Sequence, residues 1–216
     1  PFFSGEQVQY FGQPIMAIAH SNRNTVKQFI RNTEITYENL PAVTDIKECL
    51  ADEENVFGKT ITIDHRTDEE ENPEWMKHNK VYYLPHQEQA YLETQGMIAE
   101  YDSDTGIMFV RGTCQCPFFV KAGVEAIMGK AVKEVIMETS EGIGGAFGGK
   151  EDFPSLLAGI TALLSYKSGK PVKMILDRED DIVITTKRHP ARIDIISFTD
   201  AETHKLKKIE IDYLLD

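Results

Sequence analysis

The chain has 216 residues, 41% of them hydrophobic, which is enough for a core in one or two domains. A formal net charge of −12 argues against nucleic-acid binding, which needs clustered Lys and Arg to neutralise phosphates. No apolar run approaches the ~20 residues of a membrane helix, no signal peptide is present, and three cysteines make no paired disulfide framework, so the sequence reads as soluble and cytoplasmic.

In chain order, Val8 to Phe11 and Pro14 to Ala19 read as a strand pair around Gly12-Gln13. Asn22 or Asn24 caps a short helix to about Arg31, with Val26, Phe29 and Ile30 on one face. Glu34 to Tyr37 alternates as a third strand, and Leu40-Pro41 ends this unit at about residue 44. Residues 45–80 read as a linker, acidic over Asp68 to Glu74, with Trp75 as its anchor on a neighbouring surface. A second unit, 81–216, opens with a strand over Val81 to Leu84. Met97 to Tyr101 and Ile107 to Arg111 form a hairpin about Asp102 to Gly106. Phe118 to Met128 is helical and closed by Gly129. There follow a strand over Val132 to Glu138, a helix over Ser155 to Ser168 with Pro154 at its first turn, and a strand over Val172 to Leu176. Ile193 to Phe198 and Leu206 to Tyr213 pair through Thr199 to Lys205. The fold class is α/β with a mixed sheet. Pro at position 1 and strand patterns close to both ends read as a piece of a longer polypeptide.

Between the strand ending near Glu138 and the helix beginning near Ser155 lies Gly142-Ile-Gly-Gly-Ala-Phe-Gly-Gly-Lys-Glu151. Five glycines in ten residues give access to positive φ and let the backbone approach a ligand closely. Strand, glycine loop and helix together can cradle an anionic group. Two phosphate motifs fail here. The Walker pattern is met from Gly144 to Lys150, but Glu151 stands where a magnesium-ligating hydroxyl belongs. The dinucleotide pattern starts at Gly142 and Gly144 and then meets Phe147 in place of the third glycine. A tight structural turn and a non-catalytic nucleotide- or anion-binding module both remain open. Phe147 favours a ligand, because a large ring in so flexible a loop needs something to pack against. Cys114 and Cys116 with His86-Gln87-Glu88 lack the C-x-x-C spacing of a zinc deaminase. Lys150 reads as a salt-bridge or turn residue, and Asp177, Arg178 and Glu179 with Arg188 and His189 as an interface network.

Gly-Gly-Ala-Phe-Gly-Gly-Lys-Glu over 144–151 resembles the signature loop of the molybdenum hydroxylases of the xanthine dehydrogenase/aldehyde oxidase family, with Ala146 in place of a glycine. His86-Gln-Glu-Gln-Ala-Tyr-Leu-Glu93-Thr, Cys114-Gln-Cys-Pro-Phe118 (Cys for the family's Thr), Lys170 to Asp181 and Lys187-Arg-His-Pro190 resemble further family segments, in order and spacing. The resemblance implies the end of a small α/β, hammerhead-like domain over 1–44, followed by the first part of a molybdopterin-binding domain. It implies molybdenum on a pterin, in the cytosine dinucleotide form, with iron–sulfur clusters and FAD in other domains or subunits. Gln115 would donate to an oxygen on the metal, Gly144, Gly145, Ala146, Phe147 and Gly148 would lie along the cofactor, and Phe147 would sit over the substrate. Glu151 would reach a purine-type substrate, or it is simply a charge suited to a helix N-terminus. Neither Gln115 nor Phe147 is implied as a direct metal ligand. The catalytic base is expected beyond Asp216. The fragment alone is then inactive, and the remaining molybdenum-domain sequence is its first partner.

Overall fold

The computed structural model describes residues 2–44, 48–49, 60–65 and 72–215. They fall into two compact units, one formed by Pro1–Glu34 with Gln87–Arg188 and the other by Ile35–His86 with His189–Asp216.

The first unit is built on a four-stranded sheet of β2 (Gly96–Asp102), β3 (Ile107–Gly112), β4 (Glu134–Thr139) and β5 (Val172–Ile175), in the order β4-β3-β2-β5. The β2–β3 hairpin is antiparallel, β5 joins β2 antiparallel, and β3 and β4 run parallel, so the sheet is mixed. A hairpin can join only antiparallel neighbours, so the parallel pair needs a crossover. That crossover is α2 (Pro117–Met128), whose first residue is a proline set for a helix start. The second long helix, α3 (Phe153–Ser168), ends at Gly169, which lies at φ 63° and donates its N–H to Ser165. Met97, Ala99, Met108, Val110 and Val135 meet Val120, Val124, Met128, Leu157, Ala158 and Ala162 in the core between sheet and helices. Alternation in β2 and β3 fixes which face is covered: Ile98 and Phe109 point away from this core and stay exposed. After β5 comes α4 (Arg178–Ile184), which the sequence reading did not anticipate.

Near the N-terminus α1 (Arg23–Asn32) begins as expected at Asn22, whose side chain accepts from the Asn24 N–H at 2.8 Å. The strands expected over 8–11, 14–19 and 34–37 are not formed. Residues 8–19 instead turn at Tyr10 to Gln13, with the Gln13 N–H bonded to the Tyr10 carbonyl and Gly12 at φ 88°. Alternating sequence makes a strand only beside a ladder partner, and among the described residues these segments have none. The acidic run falls largely on 66–71, outside the described residues.

The second unit contains the antiparallel sheet β1 (Met76–Leu84), β6 (Ala191–Thr199) and β7 (Leu206–Leu215), in the order β1-β6-β7. β1 is longer than expected because the whole of Met76–Leu84 pairs with β6. The β6–β7 hairpin matches its expected turn, with the Asp200 carboxylate accepting from the N–H groups of Glu202 and Thr203.

Candidate functional site

Parallel pairing of β3 with β4 sets Gly112 opposite Thr139, so both strands end at the same edge of the sheet. The turn carrying Gln115 leaves β3 there, and the glycine loop leaves β4 beside it. β2 starts at that edge, with Met97 opposite Gly112, and β5 ends there, with Ile175 opposite Gly96. Topology thus gathers four chain segments where open α/β sheets bind their ligands, at the carboxyl ends of parallel strands.

The two expected elements are stitched together. The Gln115 N–H donates to the Lys150 carbonyl at 2.8 Å. Its side-chain Oε1 accepts from the N–H groups of Gly148 at 3.0 Å and Lys150 at 3.3 Å. Two backbone donors on one oxygen fix which end of the amide faces inward. Nε2 is left as the outward end of an exposed side chain, with no hydrogen-bond partner among the described residues.

In the loop, Gly145 and Gly148 lie at φ 89° and 88°, where glycine alone is at ease. Phe147 sits at φ 53°, a left-handed conformation costing about 1 kcal/mol for a bulky residue, and the residue is 77% exposed. Ala146 is buried and Glu151 is exposed just ahead of α3. The Gly148 N–H is committed to Gln115, whereas those of Gly145, Ala146 and Phe147 make no hydrogen bond among the described residues. Backbone donors left without a partner suit a group that presents oxygen or phosphate acceptors.

Beneath the loop lies a polar cluster of which the sequence reading supplied only Lys150, as a salt-bridge or turn residue, and none of its partners. Lys150 is fully buried, and its ammonium donates to Glu93 Oε2 at 3.0 Å and Thr113 Oγ1 at 3.1 Å, 4.7 Å from the centroid of the Tyr91 ring. Glu93 Oε2 also accepts from Thr113 Oγ1 at 2.8 Å and from the Gly144 N–H at 2.9 Å, while the Glu93 N–H donates to the Gly144 carbonyl. Alongside, the Gln95 Nε2 donates to the Gly149 carbonyl and to the Tyr91 hydroxyl, which in turn donates to buried Asp181. Arg178 holds Asp181 at 3.2 Å and the Leu92 carbonyl at 2.5 Å. Asp177, in contrast, pairs with Arg23 and Lys27 on α1. Tyr91, Glu93 and Gln95 stand at alternate positions, a polar stripe with strand periodicity just before β2. That spacing was the available signal for the cluster.

Desolvation pushes the Glu93 carboxyl up, but the Gly144 N–H, the Lys150 ammonium and the Thr113 hydroxyl outweigh it and hold it below the usual carboxylate range. Burial pushes Asp181 up, against the Tyr91 hydroxyl and Arg178. The two act oppositely on stability. A lowered folded pKa means that the unfolded chain binds more protons, so stability from Glu93 is complete above its unfolded value of ~4.3 and lost as pH falls through the lower folded value. The stability difference between the native chain and Glu93→Gln is therefore expected to be constant at neutral pH and to shrink below about pH 4. Denaturant titrations from pH 3 to 7 check this, and the comparison cancels Asp181.

With this geometry in view, the sequence pattern of the molybdopterin cofactor-binding domain family matches residues 52–216, and the chain belongs to that family. A xanthine dehydrogenase of Emericella nidulans is 30% identical over 191 residues, covering 88% of this chain and 14% of its own length. Aldehyde oxidase 4 of Rattus norvegicus is 30% identical over 195 residues, again 88% of this chain and 14% of the relative. The chain thus spans about a seventh of the length of these relatives. Among solved structures, quinoline 2-oxidoreductase from Pseudomonas putida 86 superposes with a TM-score of 0.82 at 23% identity, over 99% of this chain and 28% of its own. A Cu,Mo-CO dehydrogenase gives a TM-score of 0.73 at 18% identity, over 98% and 29%. At these identities the likeness shows the fold.

Proposed function

We propose that this chain is part of a molybdenum–pterin hydroxylase acting on a purine, a related heterocycle or an aldehyde. The observation that carries the reading is the amide of Gln115, its oxygen held inward by two backbone N–H groups and its NH2 turned outward beside the strained, exposed Phe147. When bound, the group supplies oxidative hydroxylation of an electron-poor carbon with water-derived oxygen.

The chain's own residues bind and orient. Gln115 Nε2 donates to an acceptor oxygen without competing as a metal ligand or for protons. The N–H groups of Gly145, Ala146 and Phe147 line the loop side, and the Phe147 ring is the flat apolar surface for an aromatic substrate. Glu151 holds a ring N–H of a purine-type substrate and steadies charge that develops during attack. The catalytic base and most pterin contacts lie in sequence beyond this chain. The 216 residues alone therefore do not turn over substrate.

The finer assignments rest on the family. Residues 1–44 are the end of a hammerhead-like domain, 45–80 a linker, and 81–216 the first part of the cofactor domain. The pterin is in its cytosine dinucleotide form, electrons leave through iron–sulfur clusters and FAD elsewhere in the parent protein, and the setting is cytoplasmic. The phosphate-loop alternative lacks its cation: the Lys150 ammonium, which would face a phosphate, is buried against Glu93.

The parent protein should oxidise purines or aldehydes when its host is fed molybdate, and lose that activity when tungstate replaces it. Equal activity from both preparations contradicts the reading.

A further inference from the structure

Three parts of the site meet on a single oxygen. Glu93 Oε2 takes the Gly144 N–H at the start of the loop, the Lys150 ammonium at its end, and the hydroxyl of Thr113, two residues before Gln115. The loop's two ends, Gly144 and Lys150, are thus pinned to one point on a segment that leads into β2. Space permits no looser fit at the start, because a Cβ on Gly144 would lie 2.4 Å from the Glu93 Cβ.

The geometry points to Glu93 and Lys150 as positioning residues. Together they clamp the glycine loop so that Gly148 and Lys150 keep their N–H groups on Gln115 Oε1, and so hold the Gln115 NH2 and the Phe147 ring in register. The clamp's contacts are made on the inner side of the loop, away from Gln115 Nε2, although the Glu93 side chain keeps part of its surface in solvent. Lys150 is fully buried, and the Glu93 oxygen is occupied from three sides. The clamp acts by fixing the loop that carries the donors, which preserves precision only while both ends stay anchored. Its value to catalysis rests on the molybdenum reading above; its effect on the loop does not.

The test is hydrogen exchange by mass spectrometry on the parent protein, native against Glu93→Gln. Protection of the Gly148 and Lys150 amides, which Glu93 does not touch, should fall at least ~10-fold more than that of strands β2 and β3, whose own loss reports the lowered stability of the unit. Thr113→Val, which removes a single hydroxyl, should give a smaller loss at the same amides and carries the test where Glu93→Gln reduces the folded population. In protein that holds molybdenum, kcat for Glu93→Gln should fall about 10-fold at unchanged metal content. Unchanged protection at Gly148 and Lys150 in both variants overturns the clamp, as does a uniform loss that includes β2 and β3. Protein without molybdenum but with the local exchange effect keeps the clamp and removes the enzyme assignment.

Discussion

Replacing Glu93 by Gln is expected to destabilise the unit that contains it by about 2–3 kcal/mol. Breaking a buried ion pair from one side typically costs about 3–5 kcal/mol, because it strands the other charge away from water. Here the stranded charge is Lys150, whose side chain has no exposure, whereas Glu93 is 41% exposed, and solvent screening reduces the figure. Lys150→Met should cost less, about 1–2 kcal/mol, since the Glu93 carboxylate it leaves behind keeps solvent, the Gly144 N–H and the Thr113 hydroxyl. The double variant should be less destabilised than the sum of the two, because with both charges gone nothing buried is left unpaired. Urea denaturation of the four proteins gives the coupling. Strict additivity would mean that the lysine is satisfied by Thr113 and the Tyr91 ring alone, and that the pair holds nothing together.

Phe147→Ala should behave in the opposite way, leaving the fold nearly intact and damaging function. The ring is mostly exposed and the residue pays a left-handed strain that a smaller side chain also pays, so the change in stability should stay within ~1 kcal/mol. Under the proposed function, in which the Phe147 ring positions an aromatic substrate, its loss should lower kcat/KM of the parent enzyme by roughly 100-fold, the scale on which misplacement of reacting groups is felt. Parallel melting and kinetics on one preparation decide it. A destabilised variant with native kinetics would make Phe147 a packing residue of the loop.

These expectations show which parts of the molecule could be read before its structure. The glycine loop, its flanking strand and helix, and the Asn22 cap depend on neighbours within a few residues, and they were legible. So was the turn that carries Gln115, which the structure bonds to the glycine loop. The clamp was legible by half: Lys150 read as a salt-bridge or turn residue, but its partner Glu93 stands 57 residues away and carries no local sign of the pairing. Only the pairing of β3 with β4 brings Thr113 and the loop to one edge. The pairing of β1 with β6, from Met76 opposite Thr199 to Leu84 opposite Ala191, is likewise fixed by topology that no local pattern records. The strands expected over 8–19 failed for the converse reason. Local alternation was present, and the partner that would make it a ladder was absent among the described residues.

The most direct measurement is the molybdenum and pterin content of the parent protein purified from a molybdate-fed host, by elemental analysis and by fluorescence of the oxidised pterin. Near one molybdenum and one pterin per protein is the predicted result. Well-folded protein with neither would contradict the account and leave the Gln115–Phe147 loop as a structural turn.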